Sequence, residues 1–431
     1  VSAAELAIEG RERRLPVLDP ASWRSPSGQT VLKLVALAVV TLIALVYRKP
    51  DQFRIPAVWG EDGVLALPDY IANGWWSLFH PIAGYFSLPI KFIHALSATL
   101  SFRWMPEIEL WLMVGFTYAV LATIATSPTT WRVPFIFAIV PLAIPMGSET
   151  YAASLYAGWW GSLLALPPLF WRQEGPPRSA RRLGMLVLGG LSSPLILFLT
   201  PLYVLRAALL RTRDEYVTLA VCAVVSVTQA IAVWLQARTF GPPAVKLDVL
   251  VDKFFGQYLV EPAAPGLDIY TFYIGASFLA ALIVTWWLYR RELGLPFVLM
   301  SGFLVVALVS SLSRVSVELI DPKLAAQRYC FFPFIALSWM VLQIAALDRA
   351  MLRVGATFVL GLAGRNALDV ARQRHDLIDW RGQVEACMHQ PSYALKVHAT
   401  GATATAWIVS VTGEQCRKLV GDSWFDNELP E

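Results

Sequence analysis

The sequence predicts an all-α polytopic membrane protein, and three observations predict it. Only 15% of the 431 residues are charged and 56% are hydrophobic, against about 25% and 45–50% in soluble domains. The apolar residues come in continuous runs close to the roughly 20 residues that a helix needs to cross a bilayer. A transmembrane barrel would instead alternate in segments of about ten residues. Lys and Arg punctuate the runs rather than covering one face, and the net charge is only +4. This composition excludes an ordinary cytosolic enzyme, a disordered chain and a disulfide scaffold, and it argues against a nucleic-acid binder.

In chain order, residues 1–30 are polar, carry Arg11, Arg13, Arg14 and Arg24, and read as a cytoplasmic lead. The run Val31 to Tyr47 follows and has no small-residue cleavage site behind it, so it reads as a signal anchor rather than a cleaved signal peptide. Further membrane segments are expected at about 108–126, 132–147, 157–171, 217–235, 269–288, 295–312, 330–347 and 354–364. The stretch 183–210 is apolar but broken at Ser192-Ser193-Pro194 and basic at both ends, so it reads as two short helices returning to the same side. Residues 85–102 decide the orientation. If they lie at the interface, the clusters around Arg178, Arg211, Arg290 and Arg349 all fall inside, as the bias of Lys and Arg toward cytoplasmic loops requires. Lys91, His94, Pro89 and Gly84 suit an interfacial helix. The outcome is about eleven membrane segments in a domain spanning 31–365. The first outer loop (48–107) carries interfacial helices, and a small outer tail occupies 366–431. No internal repeat is evident. Cys222 and Cys330 read as core residues, whereas Cys387 and Cys416 could pair in an oxidising compartment.

The outer loops hold the chemistry-bearing residues. Trp59-Gly60-Glu61-Asp62-Gly63 places two adjacent carboxylates just beyond the first span. One could act as a general base while the other holds substrate or metal; a solvated turn with Asp62 capping the next helix is an equal reading. His80-Pro81-Ile82-Ala83-Gly84-Tyr85 follows downstream. Glu149 stands at a membrane boundary, where acids are costly and often functional, or else serves a helix N-terminus. Trp159 and Trp160 read as interfacial anchors. Arg314 and Arg328 lie on the side that basic residues avoid, which makes them candidates for an anionic group such as phosphate, with ion pairs to Glu318 or Asp321 as the plainer reading. Tyr329 opens the next span. There is no HExxH, CxxC pair, phosphate loop or serine elbow, and the five His residues have no ligand spacing.

Taken together, the WGEDG and HPIAGY stretches, Glu149 with Trp159, and Gln327-Arg328-Tyr329 resemble bacterial polytopic membrane glycosyltransferases of the GT-C type over most of 31–365. The resemblance implies an enzyme that takes a sugar from a polyprenyl-phosphate carrier. Transfer would go to a glycan or lipid acceptor at the outer face of the inner membrane, with the N-terminus cytoplasmic and the C-terminus outside. It implies Glu61 or Asp62 as the catalytic acid position and Arg328 as a donor-phosphate contact. Glu149, His80, Tyr85, Lys91, Arg314 and Tyr329 complete the expected substrate-binding set. Lys91 departs from the pattern, since an Arg would be expected there, and no large soluble domain follows. No metal ligand is assigned; a divalent cation (Mg or Mn) is an optional cofactor, because two neighbouring carboxylates do not make a site. Two other classes compete: a transporter or lipid flippase, which would hold its charges near mid-membrane, and a non-catalytic scaffold of an envelope complex.

Overall fold

The computed structural model describes residues 28–60, 62–173, 179–236, 247–263, 270–313, 315–324, 326–370, 377–398 and 407–426. It is mostly helical, with one two-stranded sheet among these residues. Among the described residues, five helices are long and apolar enough to cross a membrane: Gly28–Arg48 (α1), Met105–Thr126 (α5), the apolar length of Arg213–Gln236 (α10), Thr271–Leu312 (α12), and the stretch Gln327–Ala345, which contains Phe331–Ala345 (α13). They are lipid-like in the expected way. Val35, Val39 and Ile43 of α1 are exposed, whereas Leu37, Thr41 and Leu45 are buried, so one stripe packs and the rest faces outward.

The eleven expected segments are not all helices of this kind. Residues 269–288 and 295–312 are two arms of α12, which leaves helical geometry at Tyr289 and Gly294, just before Pro296. At 1.5 Å per residue its 42 residues would reach ~63 Å, about twice a ~30 Å hydrocarbon core. The two ends of α12 lie beside two segments, 254–260 and 327–330, whose neighbourhoods are tied together by Lys253 Nζ donating to the Ile320 carbonyl (2.5 Å). Phe272 packs on Phe255, and Ser311 Oγ donates to the Tyr329 carbonyl (2.7 Å). The break lies beside Arg349, which pairs with Glu292 (3.1 Å). The helix therefore doubles back at this break. Residues 354–364 fall within Ala350–Val370 (α14), which runs from Arg349 to a contact between Asn366 and the Glu261 carbonyl (2.9 Å).

Segments 132–147 and 157–171 are not continuous helices. The first is a short helix, Pro134–Ile139 (α6), followed by a single tight turn at Val140–Leu142 and then irregular chain. The second is Ala157–Ser162 (α7) and two further short turns, Leu163–Ala165 and Pro167–Phe170. Pro141, Pro145, Pro167 and Pro168 explain the breaks, since proline removes a donor and clashes with the preceding turn. The carbonyls released must find partners inside protein, and buried arginines supply them. Arg48 donates to the carbonyls of Leu142 (3.1 Å), Ile144 (2.6 Å) and Met146 (2.7 Å). Arg182 donates to Pro168 (2.9 Å), and Arg206 to Leu169 (2.7 Å) and Trp171 (2.6 Å).

The predicted hairpin is present as Ser179–Gly190 (α8) and Leu195–Leu210 (α9), turning at Ser192-Ser193-Pro194. Gln229 of α10 holds its tip by donating to the Gly190 carbonyl (2.9 Å). The basic residues Arg132, Arg172, Arg181, Arg206 and Arg349 gather at the pole where α5 ends and α10 begins, tied to carbonyls of Ala346, Thr129 and Thr126. The opposite pole carries the loop after α1. There Leu88–Leu100 (α4) is not a helix lying on a surface: Ile90, Lys91, Ile93, His94, Ala95, Ser97 and Ala98 are buried. Its N-terminal end abuts the hairpin tip, with Leu88 N donating to Leu191 O (3.0 Å) and Ser87 Oγ to Ser192 O (3.0 Å).

The tail covers the other end of α4. Strands Ser392–Val397 (β1) and Trp407–Thr412 (β2) pair antiparallel between Trp380–Met388 (α15) and Gly413–Asp422 (α16). Cys387 and Cys416 form a disulfide across this unit. Asp426 accepts from Ser101 Oγ (2.5 Å) and Phe102 N (2.9 Å), and Trp380 Nε1 donates to the Phe102 carbonyl (2.9 Å). Val58, Leu67, Phe102 and Met105 share a core with Trp380, Val384, Leu395 and Val397, so the tail and the first loop fold as one layer.

Candidate functional site

The chain leaves α1 at Lys49, makes a short helix Pro50–Arg54 (α2), and runs extended into the WGEDG stretch. The tail fixes that stretch. Gly60 N donates to the His398 carbonyl (2.7 Å) and His398 N to the Val58 carbonyl (2.9 Å), a parallel bridge opposite Trp59. A side chain on Gly63 would meet the Val397 methyl at 2.5 Å, so close approach to the tail favours glycine there. Trp59 Nε1 donates to Gln52 (3.0 Å), and the Lys49 ammonium lies 3.6 Å from the centre of the Trp59 ring.

Asp62 opens a helical turn, Asp62–Ala66, and is completely buried, which excludes the solvated turn. Its Oδ2 accepts from Ser154 Oγ at 2.6 Å. The same hydroxyl lies 3.1 Å from Glu109 Oε2, on the first turns of α5. Glu109 Oε1 stands 2.7 Å from His94 Nδ1 of α4, an ion-pair distance at which the ring is out of line for a good hydrogen bond. Asp62, Ser154, Glu109 and His94 thus form one buried polar chain. Glu61 and Arg314 lie outside the described residues.

Glu149 and Arg328 come together as a charged pair. Arg328 Nη1 donates to Glu149 Oε1 (2.5 Å) and its backbone N to Oε2 (3.0 Å), while Tyr156 OH donates to Oε1 (2.7 Å). The partner of Arg328 is thus Glu149, and Lys323 pairs with Glu261 (2.7 Å). The pair remains reachable, with the Arg328 side chain 26% exposed and Glu149 13%. Lys49 Nζ donates to the Glu149 carbonyl (3.3 Å). Burial pushes the Lys49 ammonium down to about 7, against the opposing pull of the Glu149 charge. One nine-residue segment, Ser148 to Tyr156, therefore presents Glu149 to Arg328 and Ser154 to Asp62. Tyr329 lies edge-on to Trp159 (5.7 Å), and Trp159 stacks on Phe332 (5.1 Å). Trp160 is fully buried and donates to the Thr150 carbonyl (2.8 Å), so it is packing and not an interfacial anchor.

His80 and Lys91 meet through Asp69, of the helix Leu67–Asn73 (α3). His80 Nδ1 lies 2.8 Å from its Oδ1, Asn73 donates to it (2.8 Å), and Lys91 ion-pairs with its Oδ2. Burial alone would raise the Asp69 carboxyl, but hydrogen bonds from Lys91, His80 and Asn73 outweigh it and hold it below its ordinary value. The HPIAGY stretch is a tight reversal in which Ala83 and Gly84 both take positive φ and Ile82 and Tyr85 exchange backbone hydrogen bonds (2.8 and 3.1 Å). Helix α4 thus turns Lys91 to Asp69 and, one turn on, His94 to Glu109.

Sequence reasoning missed Asp69, His94, Glu109 and Lys49. Glu109, an acid inside an apolar run, carried a signal that could have found it. Among the described residues, no group of three or more His, Cys, Asp and Glu could hold a metal ion. Neither family models, curated proteins nor solved structures give a match to this chain.

Proposed function

We propose that the chain is a membrane glycosyltransferase. It moves a sugar from a polyprenyl-phosphate carrier to a hydroxyl of a cell-envelope glycan or lipid, at the outer face of a bacterial inner membrane. One observation carries the reading. Asp62, a buried carboxylate beside a hydroxyl, and Arg328, a partly exposed cation at a membrane edge, are held by the two ends of one short segment at the pole away from the basic cluster. The positive-inside bias assigns that basic pole to the cytoplasm, which puts the N-terminus inside and the C-terminus outside.

In this reading the acceptor hydroxyl enters beside Ser154, and the Asp62 carboxylate takes its proton as the oxygen attacks the anomeric carbon. The bond from that carbon to the carrier phosphate breaks, and the phosphate leaves with the electron pair. Arg328 turns from Glu149 to the phosphate oxygens, where its fork matches two acceptors. Lys91 and His80 hold the α3–α4 loop through Asp69 and act on substrate only by shaping it.

The test is transfer of a radiolabelled sugar from a polyprenyl-phosphate donor in proteoliposomes. Asp62→Asn is expected to lose at least 100-fold in rate, in the range that removal of a general base gives, while inserting and folding normally. Full activity of both Asp62→Asn and Glu61→Gln removes the catalytic assignment. Donor that crosses the bilayer without cleavage identifies a flippase instead. Orientation is checked separately: Ala180→Cys should be labelled only from the cytoplasmic side, and labelling from outside inverts the assignment.

A further inference from the structure

The chain from Asp62 to His94 has a hydrogen-count problem. Ser154 has one hydroxyl hydrogen, yet its oxygen lies 2.6 Å from a carboxyl oxygen of Asp62 and 3.1 Å from one of Glu109. If the hydroxyl donates to Asp62, its lone pair faces Glu109, and two bare oxygens at that separation repel unless Glu109 carries a hydrogen. If it donates to Glu109, the same holds for Asp62. Bulk solvent does not reach the conflict, because Asp62, Ser154 and Glu109 are each no more than 3% exposed. Like charges that share a site cannot both ionise freely.

We infer that Asp62 and Glu109 form a carboxyl pair that shares one proton through Ser154, with Glu109, Ser154 and His94 as positioning residues for Asp62. In one state the proton is on Glu109, whose O–H donates to Ser154 while Ser154 donates to an ionised Asp62. In the other it is on Asp62, and both hydrogen bonds reverse. Passing from the first to the second, the O–H bond of Glu109 breaks as its proton joins Ser154, and the Ser154 proton joins Asp62. Two protons each move one step, the net transfer is one proton from Glu109 to Asp62, and no oxidant is needed. The pair gives Asp62 a base form and an acid form without solvent.

A second feature points the same way. His94 is 1% exposed, its Nδ1 faces the far oxygen of Glu109 at 2.7 Å, and its Nε2 has no polar partner among the described residues. A buried imidazole with one nitrogen unused is costly as packing alone. Beside a carboxyl that alternates between charged and neutral, its Nδ1 can sit close to that carboxyl in either state. Ser97, which donates to the His94 carbonyl (2.8 Å) and reaches Glu109 at 3.5 Å, completes the surround.

The pair stands on geometry; its use in catalysis rests on the sugar-transfer reading. Infrared difference spectroscopy of the purified full chain at neutral pH separates the two. The wild type is expected to show a protonated-carboxyl stretching band that shifts in D2O, and its absence overturns the proposal without any variant. Glu109→Gln and Asp62→Asn should each remove that same band, because either amide satisfies Ser154 with no shared proton. A band lost in only one variant belongs to a single acid and overturns the sharing, as does a band that survives in both. If the band behaves as expected and no lipid-linked sugar is transferred, the pair holds and the sugar-transfer reading fails.

Discussion

The two poles of the molecule use buried charge in opposite ways. At the basic pole Glu215 binds Arg206 through both oxygens (2.9 Å each) and Arg182 through one (2.8 Å), and both guanidiniums also bind fixed carbonyls of the broken segment 167–171. All three side chains are at most 5% exposed. At the other pole Arg48 serves a broken segment in the same manner, but its neighbours do not close on themselves. Glu149 and Arg328 are partly open, Lys49 reaches one carbonyl and a ring face, and two carboxyls compete for one hydroxyl. A network whose carboxylate is saturated by two guanidiniums that are themselves tied to fixed carbonyls is built to stay. One with unbalanced charge and shared hydrogens is where substrate chemistry can enter.

The sharpest way to break this contrast is at the closed end. Glu215→Ala leaves two buried arginines without a counter-charge and should cost about 3–5 kcal/mol, read as a lower unfolding temperature in detergent micelles. A loss below ~1 kcal/mol would mean that the carbonyls alone hold the arginines. Next in size, Cys387→Ser opens a disulfide between cysteines 29 positions apart. It should cost the tail about 3–4 kcal/mol on the loop-entropy account, measured by proteolysis of the tail at rising temperature. Because the tail fixes Trp59 and Gly60, activity should fall with it; an active chain with a cleavable tail would detach the tail from the site.

At the open pole the stability effects should be smaller and the functional ones larger. Glu149→Gln frees a partly exposed arginine and should change stability by about 1 kcal/mol or less, while altering KM for the lipid-linked donor. A stability loss as large as that of Glu215→Ala would show the pair to be structural. The smallest effect concerns Asp69, whose native carboxyl is held below its unfolded value. That group is ionised in both states at neutral pH, and its stabilisation is fully present there. As pH falls through the native value the unfolded chain binds the proton more readily, so the stabilisation is lost on the acid side. Asp69→Asn should flatten that acid limb of a stability–pH curve and leave the neutral plateau displaced.

Much of the fold was legible because helix breakers and charges are local signals. Ser192-Ser193-Pro194 marked the hairpin, and Arg290 and Arg291 marked the reversal of α12. The broken segments were harder to read. Nothing local says that Arg48, which looks like the flank of a span, turns back to serve Leu142, Ile144 and Met146. Of the site, Asp62, Glu149 and Arg328 could be singled out because charge is scarce in this chain. Glu109 and His94 were hidden inside segments assigned to membrane and interface, and only packing of α4 against α5 brings them together. Asp69 was missed because its role lies in joining His80 to Lys91 across a loop.

The bridge between Trp59 and His398 has a consequence for biosynthesis. The stretch with the two acids emerges early, but the strand that holds it is made roughly 340 residues later, about 20 s to a minute at ~5–20 residues per second. Until the last helix has crossed and the tail has folded on the same side, the early loop has no partner for Gly60 and no Val397 against Gly63. The surroundings of Asp62 are therefore completed only by the last part of the chain, and a chain that stalls part-way leaves Gly60 without its His398 partner.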